Sequence, residues 1–70
     1  MYDDLIRRIL EYISGGLTSE DIQEDIQYWL NDDNKDLLTA VFSALYQRWD
    51  IEMNTFEKDR FNHVLRMLKT

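Results

Sequence analysis

Apolar residues recur along the first part of the chain at the spacing of an α-helix with one buried face. The first such stretch predicts a helix over about residues 3–14, with its charged residues mostly on the other side. Gly15 and Gly16 are expected to end this helix, because glycine readily adopts the left-handed conformation that closes a helix C-terminus. The apolar positions of the predicted face are Tyr2, Leu5, Ile6, Ile9, Leu10 and Ile13.

The second predicted helix covers about residues 19–31, and capping residues indicate where it starts. Thr18 is a favoured N-cap, because its hydroxyl can accept a hydrogen bond from a free amide of the first turn. Leu17 and Ile22 stand on either side of this cap at the spacing of a hydrophobic staple. The outward face of this helix is acidic and is predicted at Glu20, Gln23, Glu24 and Gln27.

A polar turn at residues 31–34 leads to a third helix, predicted over about residues 34–51. Any of the last three residues of the turn can cap it. Its apolar stripe is about 140° wide, which is broad enough to contact two neighbouring helices, so we expect this helix to be the central element. Tyr46 lies at the edge of the stripe, where its hydroxyl can stay in water. The stripe consists of Leu37, Leu38, Val41, Phe42, Leu45 and Trp49.

The fourth predicted helix spans about residues 56–69, and either Asn54 or Thr55 can start it, with Glu57 in capping-box relation to Asn54. Its apolar stripe is narrower than the others, and its exposed face is basic. Two alternatives stay open. The helix can dock on a core formed by the first three helices, or it can be an arm whose apolar face is completed by another protein. The stripe consists of Phe61, Val64, Leu65 and Leu68.

Composition indicates one helical domain. Seventy residues are enough for a single small core, and marginal stability is the expectation at this size. With no proline, two glycines and 44% hydrophobic residues, the chain has few helix breakers and is too apolar for disorder. We therefore predict an all-α fold, a small bundle of four helices that forms a single domain at residues 1–70.

Charge is distributed unevenly along the chain. Residues 1–36 carry ten acids and three bases, net −7, whereas residues 37–70 carry four acids and five bases, net +1. This balance disfavours direct binding to nucleic acid and favours a partner with a basic surface. No apolar run reaches the roughly 18 residues of a membrane span, and the N-terminus is acidic where a secretory signal is basic. We expect a cytoplasmic protein without membrane contact in this segment.

The side chains that could carry chemistry do not form a recognisable site. The chain has no cysteine, so neither a disulfide nor a thiolate metal centre is available. His63 is the single histidine, and together with Asp59 it supplies only two of the ligands that a metal centre needs. The glycine pair is followed by acids rather than by a lysine, which argues against a phosphate cradle. We expect no catalytic residue, no metal and no cofactor, and therefore no enzyme.

Several short motifs follow one another in a characteristic order along residues 3–50. They are Ile9, Tyr12 and Ile13 before Gly15-Gly16, then Leu17-Thr18, Glu20-Asp21, Trp29-Leu30, Asn34-Lys35 and Trp49. This order resembles the N-terminal cytoplasmic, sigma-binding domain of FecR-like anti-sigma factors of the Bacteroidetes type. The chain departs from the family pattern at Gly16, where glutamate is usual, and in the short turn after Leu30, which lacks proline.

The resemblance implies a regulatory domain that binds and sequesters, or modulates, an extracytoplasmic-function sigma factor in response to an envelope signal. Such proteins normally continue into a transmembrane helix and a periplasmic sensor region. The resemblance thus implies either a fragment at the cytoplasmic face of the inner membrane or a stand-alone relative. From exposure and spacing, and not from the family, we expect the partner to contact Glu20, Glu24, Tyr46, Phe61, Leu65 and Leu68.

Two other functions fit parts of the pattern. The first is a self-associating interaction module, in which the fourth helix pairs with its copy in a homodimer and no sigma factor is bound. The second is a small helix-turn-helix DNA-binding protein, but its reading helix would be the most acidic part of the chain and would repel phosphate. For Trp29 and Trp49 we expect core packing, with the rest of each ring open to a partner.

Overall fold

The structure is a computed structural model that describes residues 3–69. Over that range the chain forms four helices and no strand. The helices are α1 (Asp3–Ser14), α2 (Ser19–Trp29), α3 (Lys35–Trp49) and α4 (Thr55–Lys69). The predicted all-α bundle is confirmed, and the predicted helix ends differ from the observed ones by at most two residues. Tyr2, predicted on the buried face of the first helix, lies outside the described residues. Among these four helices, none combines the length and the apolarity that a membrane span requires.

The glycine pair ends α1 as predicted. Gly15 has a φ of 99°, a backbone conformation that costs glycine little because it has no Cβ. Its N–H donates to the carbonyl of Tyr12 at 3.1 Å, and the N–H of Gly16 donates to the carbonyl of Glu11 at 2.8 Å. These two bonds are those of a Schellman motif, which satisfies the free carbonyls at a helix end.

Capping boxes start α2 and α4. The Thr18 hydroxyl accepts from the N–H of Asp21 at 3.2 Å, and the Asp21 carboxylate accepts from the N–H of Thr18 at 3.2 Å. At α4 the same exchange joins Asn54 and Glu57, at 2.8 and 3.0 Å. Both predicted caps are confirmed, and each box satisfies two amides that the first turn of a helix leaves free.

Two asparagines hold the turn between α2 and α3. Asn31 Oδ1 accepts from the N–H groups of Asp33 and Asn34, at 2.9 and 3.0 Å. Asn34 is 1% exposed, and its side chain accepts from the N–H of Asn31 and donates to the carbonyl of Trp29, both at 2.8 Å. Asn34 thus occupies the N-cap position of α3 without capping it. The Asn31 side chain instead binds the two amides just before α3, although the turn composition favoured only residues 32–34 as caps.

The central helix is α4, and the prediction that the third helix is central was wrong. The backbone of α4 approaches α1, α2 and α3, whereas α3 approaches only α4 among the described helices. One side of the wide α3 stripe is covered, with Leu38 and Phe42 buried, but Leu37 and Val41 remain exposed. A stripe shows how much apolar surface a helix has, and its neighbours decide how much of that surface is buried.

Of the two alternatives for the fourth helix, the structure has the docked one. Phe61, Val64 and Leu68 have no exposed surface. The radius of gyration is 11.2 Å, close to the value of about 11 Å for a compact chain of this length. The core therefore draws on all four helices and not on the first three alone. It consists of Leu5, Ile9, Tyr12, Ile13, Ile22, Ile26, Leu38, Phe42, Phe61, Val64 and Leu68.

A pair of leucine truncations tests this arrangement. Leu68→Ala removes a fully buried side chain of α4 and is expected to lower the free energy of unfolding by about 2–5 kcal/mol. Leu37→Ala makes the same chemical change at a side chain that is 58% exposed, and its effect should stay within about 0.5 kcal/mol. Urea denaturation followed by circular dichroism measures both. Equal effects of the two truncations would contradict a docked α4.

Candidate functional site

The six residues predicted to contact a partner do not share one surface. Phe61 and Leu68 are completely buried, so their prediction as partner contacts is corrected: α4 uses both side chains to hold the bundle together. Leu65 is partly buried and packs against the same core. A homodimer that pairs these stripes would need the same side chains twice, so the fourth helix cannot pair in this way while the bundle is folded.

Tyr46 is also tied to the bundle. Its ring packs edge-on against Phe61, with the ring centroids 5.4 Å apart. Its hydroxyl accepts a hydrogen bond from Asn62 Nδ2 at 3.3 Å. The side chain is partly buried, as its position at the edge of the stripe predicted. Trp29 and Trp49 likewise pack against the core, which confirms the core packing expected for both rings.

The remaining two predicted residues, Glu20 and Glu24, lie on the exposed face of α2. Four residues further on, Tyr28 is 81% exposed. Since residues four apart lie above one another on a helix, these three side chains form one line, which we call the α2 acidic column. The ring of Tyr28 packs edge-on against Trp29 at 5.3 Å between centroids, which gives the exposed tyrosine a partly fixed position.

The two arginines of α1 do not neutralise the negative charge of Glu20 and Glu24 in the column. Arg8 Nε donates to Asp25 Oδ2 at 2.6 Å, and this hydrogen bond, together with the carboxylate charge, raises the pKa of Arg8 above its ordinary value. Arg7 pairs with Asp4 at 2.7 Å. Asp21 uses its carboxylate in the capping box of α2. Within residues 3–69, the two carboxylates of the column make no hydrogen bond or ion pair, so their charge faces solvent.

A shallow groove borders the column where α2 meets α4. It has a volume of about 230 Å³, and its walls combine apolar side chains with two glutamine amides. Ile26 is almost fully buried beneath it. A groove of this size can accept one apolar side chain of a partner beside the charged column. The lining residues are Gln23, Ile26, Gln27, Leu30 and Met67.

A group of side chains around Tyr12 joins α4 to α1 and α2. The Tyr12 hydroxyl lies 2.7 Å from His63 Nδ1 and 3.3 Å from Ser19 Oγ. Arg60 stacks over the rings of Tyr12 and Phe56, at 4.4 and 4.6 Å from their centroids. We call these five residues the Tyr12 cluster: Tyr12, Ser19, Phe56, Arg60 and His63. Tyr12 is 2% exposed, and its hydroxyl therefore requires a partner of this kind.

Arg60 also closes the turn between α1 and α2. Its Nη1 donates to the carbonyl of Tyr12 at 3.0 Å and to the carbonyl of Leu17 at 2.8 Å. The guanidinium plane can stack on rings and donate in its own plane at the same time, which an ammonium cannot do. These two hydrogen bonds of Arg60 thus hold α4, the central helix, against the α1–α2 turn.

The Tyr12 cluster borders an open surface depression of about 440 Å³. Ser19 reaches His63 only through the Tyr12 hydroxyl, and Tyr12, which is bonded directly to His63, is 2% exposed. In this cluster no solvent-accessible nucleophile therefore stands beside a base. His63 is partly buried, and its Nδ1 is engaged in the hydrogen bond with the Tyr12 hydroxyl. In the part of the chain that the structure describes, no three histidine, aspartate or glutamate side chains gather as a metal site. The geometry supports a structural role for the cluster.

A scan against protein-family models, a search of curated proteins and a search of solved structures each found no match. The resemblance to FecR-like anti-sigma factors therefore stays a prediction carried by the sequence motifs. Within the bundle, the Leu17-Thr18 motif lies at the start of α2 and the Trp29-Leu30 motif at its end. Both motifs shape the helix that carries the acidic column.

A matched pair of arginine substitutions tests the structural role of the Tyr12 cluster. Arg60→Lys keeps the charge but loses the planar group that bridges two rings and two carbonyls, and it should lower the free energy of unfolding by about 1–3 kcal/mol. Arg66→Lys, at an exposed position of the same helix, should stay within about 0.5 kcal/mol. Thermal and urea unfolding provide the comparison. If both variants unfold alike, Arg60 does not fasten α4 to the turn.

Proposed function

We propose that this domain binds a basic segment of an extracytoplasmic-function sigma factor, sequesters or modulates it, and acts by binding rather than by catalysis. The observation that carries the proposal is the α2 acidic column, in which two uncompensated carboxylates and a largely exposed tyrosine form one line. The motifs of residues 3–50 supply the class of partner. Since sigma factors act on RNA polymerase, the proposal places the domain in the cytoplasm.

The spacing of the column suits a helical partner. Residues four apart on a helix are separated by about 6 Å along its axis, so a helix with basic residues at the same interval can meet Glu20 and Glu24 together. Carboxylates at the rim of an interface mainly accelerate encounter and select for partners of opposite charge. They therefore set which partner approaches, and less how long it stays bound.

Residence time requires an anchor, and Tyr28 together with the neighbouring groove can provide one. Tyrosine is among the residues that carry most binding energy at interfaces, because its ring buries much area and orders few rotamers. The ring of Tyr28 already rests against Trp29, so binding orders it further at a small entropic cost. An apolar side chain of the partner can enter the groove at Leu30 and Met67.

The proposal is tested by capture followed by titration. The tagged chain is used to capture partners from its source bacterium, and the affinity of the recovered sigma factor is then measured by calorimetry. Glu20→Lys combined with Glu24→Lys is expected to weaken binding by at least about tenfold, and Tyr28→Ala by a similar factor. The affinity of the unaltered chain should fall as salt rises, because exposed charges are screened.

The control repeats the same change of net charge elsewhere. Asp50→Lys combined with Glu52→Lys alters two carboxylates in the turn after α3, away from α2, and should leave the affinity within about twofold. Circular dichroism verifies that every variant stays helical. Failure to recover any sigma factor, or equal weakening by both double variants, would refute a specific role of the column.

A further inference from the structure

The open depression beside the Tyr12 cluster has positively charged walls, although the chain as a whole is acidic. The net charge of the chain is −6, yet Arg60 and Arg66 line the depression together with a single carboxylate, that of Asp59. The two glutamates of the α2 acidic column are not among the lining residues. The charge of the walls therefore favours an anion as the ligand of this depression.

Arg60 has one hydrogen-bonding edge in use and another one free. Its Nη1 donates to the carbonyls of Tyr12 and Leu17, whereas the N–H groups on Nε and Nη2 make no hydrogen bond or ion pair within residues 3–69. These two groups form an edge of parallel donors that matches two oxygens of a carboxylate or a phosphate. The carbonyl bonds and the stacking on Tyr12 and Phe56 already hold the guanidinium in place, so ligand binding orders it at a small entropic cost. Arg60 is thus a preorganised donor for an oxyanion.

Three further side chains of the walls suit a phosphate group. Ser19 is exposed, and its hydroxyl can donate to a ligand oxygen. When His63 Nδ1 accepts from the Tyr12 hydroxyl at 2.7 Å, the ring proton lies on Nε2, which can also donate. Arg66 is exposed and has no carboxylate partner within residues 3–69. A phosphate monoester offers three acceptor oxygens and a charge close to −2, so it uses more of these donors than a carboxylate does.

We propose that this depression binds a small phosphate monoester, with the free edge of Arg60 on two phosphate oxygens and Arg66 neutralising the second negative charge. The volume of about 440 Å³ lies within the range of small-molecule sites, roughly 300–1,000 Å³. It exceeds what a phosphate group alone fills. Phe56 also lines the depression and is 49% exposed, so its ring supplies an apolar wall for the organic part of the ester.

The charged residues of the walls predict effects of opposite sign. The Asp59 carboxylate is exposed and makes no ion pair within residues 3–69, so it repels a phosphate in the depression. Asp59→Asn should therefore tighten binding by about two- to fivefold, whereas Arg66→Gln should weaken it by at least about threefold. Both side chains are exposed and hold no other helix in place, so both variants are expected to stay folded, which circular dichroism verifies.

The test is a titration of the whole chain with phenyl phosphate at constant ionic strength, followed by NMR. The Nε–H signal of Arg60 and the ring signals of His63, the single histidine, are expected to shift to saturation. The Nε–H signal of Arg48, on α3, should move little. Phenol has the same ring without the phosphate and should cause no saturable shift. Inorganic phosphate should shift the same signals with a dissociation constant at least about twofold higher, because it has no apolar part to contact Phe56.

Matched substitutions outside the depression control for the change of net charge. Arg48→Gln and Glu52→Gln alter exposed residues of α3 and of the turn after it, and they should leave the dissociation constant within about 1.5-fold. The absence of a saturable shift with phenyl phosphate, equal shifts at Arg60 and Arg48, or equal weakening by Arg66→Gln and Arg48→Gln would overturn the inference. It does not rest on the proposed function, since recovery of a sigma factor through the α2 acidic column can fail while this titration succeeds.

Discussion

The burial of one face of α4 is the constraint on which the rest of the bundle depends. Phe61, Val64 and Leu68 are fully enclosed, and α4 approaches each of the other three helices. In a chain of seventy residues one core must supply nearly all of the stability, because the entropy lost on folding is of similar size to the gain from burial. Since α3 meets no described helix other than α4, loosening α4 would release α3 from the bundle as well.

Two kinds of contact hold α4 in place. Apolar burial supplies most of the free energy, and it is not directional. The Tyr12 cluster adds direction, because Arg60 bonds two carbonyls of the α1–α2 turn and the hydroxyl of Tyr12 meets His63. Polar groups at this depth are costly unless they are paired, and these contacts pair them. The angle at which α4 crosses α1 is thus restricted by both kinds of contact.

Enclosing the α4 stripe also decides which surfaces remain for partners. The exposed features of note are the acidic column on α2 and the apolar side chains of Leu37 and Val41 on α3, and these two helices do not approach one another within the described bundle. The two surfaces also differ in physical character, since one is charged and the other is apolar.

Local features were predictable from the sequence, and contacts between distant residues were not. The glycine pair, Thr18 and Asn54 act within a few residues, so spacing alone located the ends of the helices. The exposure of Glu20 and Glu24 followed from helical periodicity, and the same spacing could have drawn attention to Tyr28. The bond from Tyr12 to His63 spans 51 residues, and no local pattern announces it. Phe61 and Leu68 were misassigned because an apolar stripe does not say whether its own chain or another one covers it.

Native-state hydrogen exchange of α4 tests the central role of this helix most directly. If α4 is the core around which the bundle folds, the amides of residues 61–68 exchange only on global unfolding, and their free energy of opening equals that measured by urea denaturation. Exchange of these amides through a local opening of distinctly lower free energy, while α1 stays protected, would show an arm that leaves the bundle and would contradict the central role of α4.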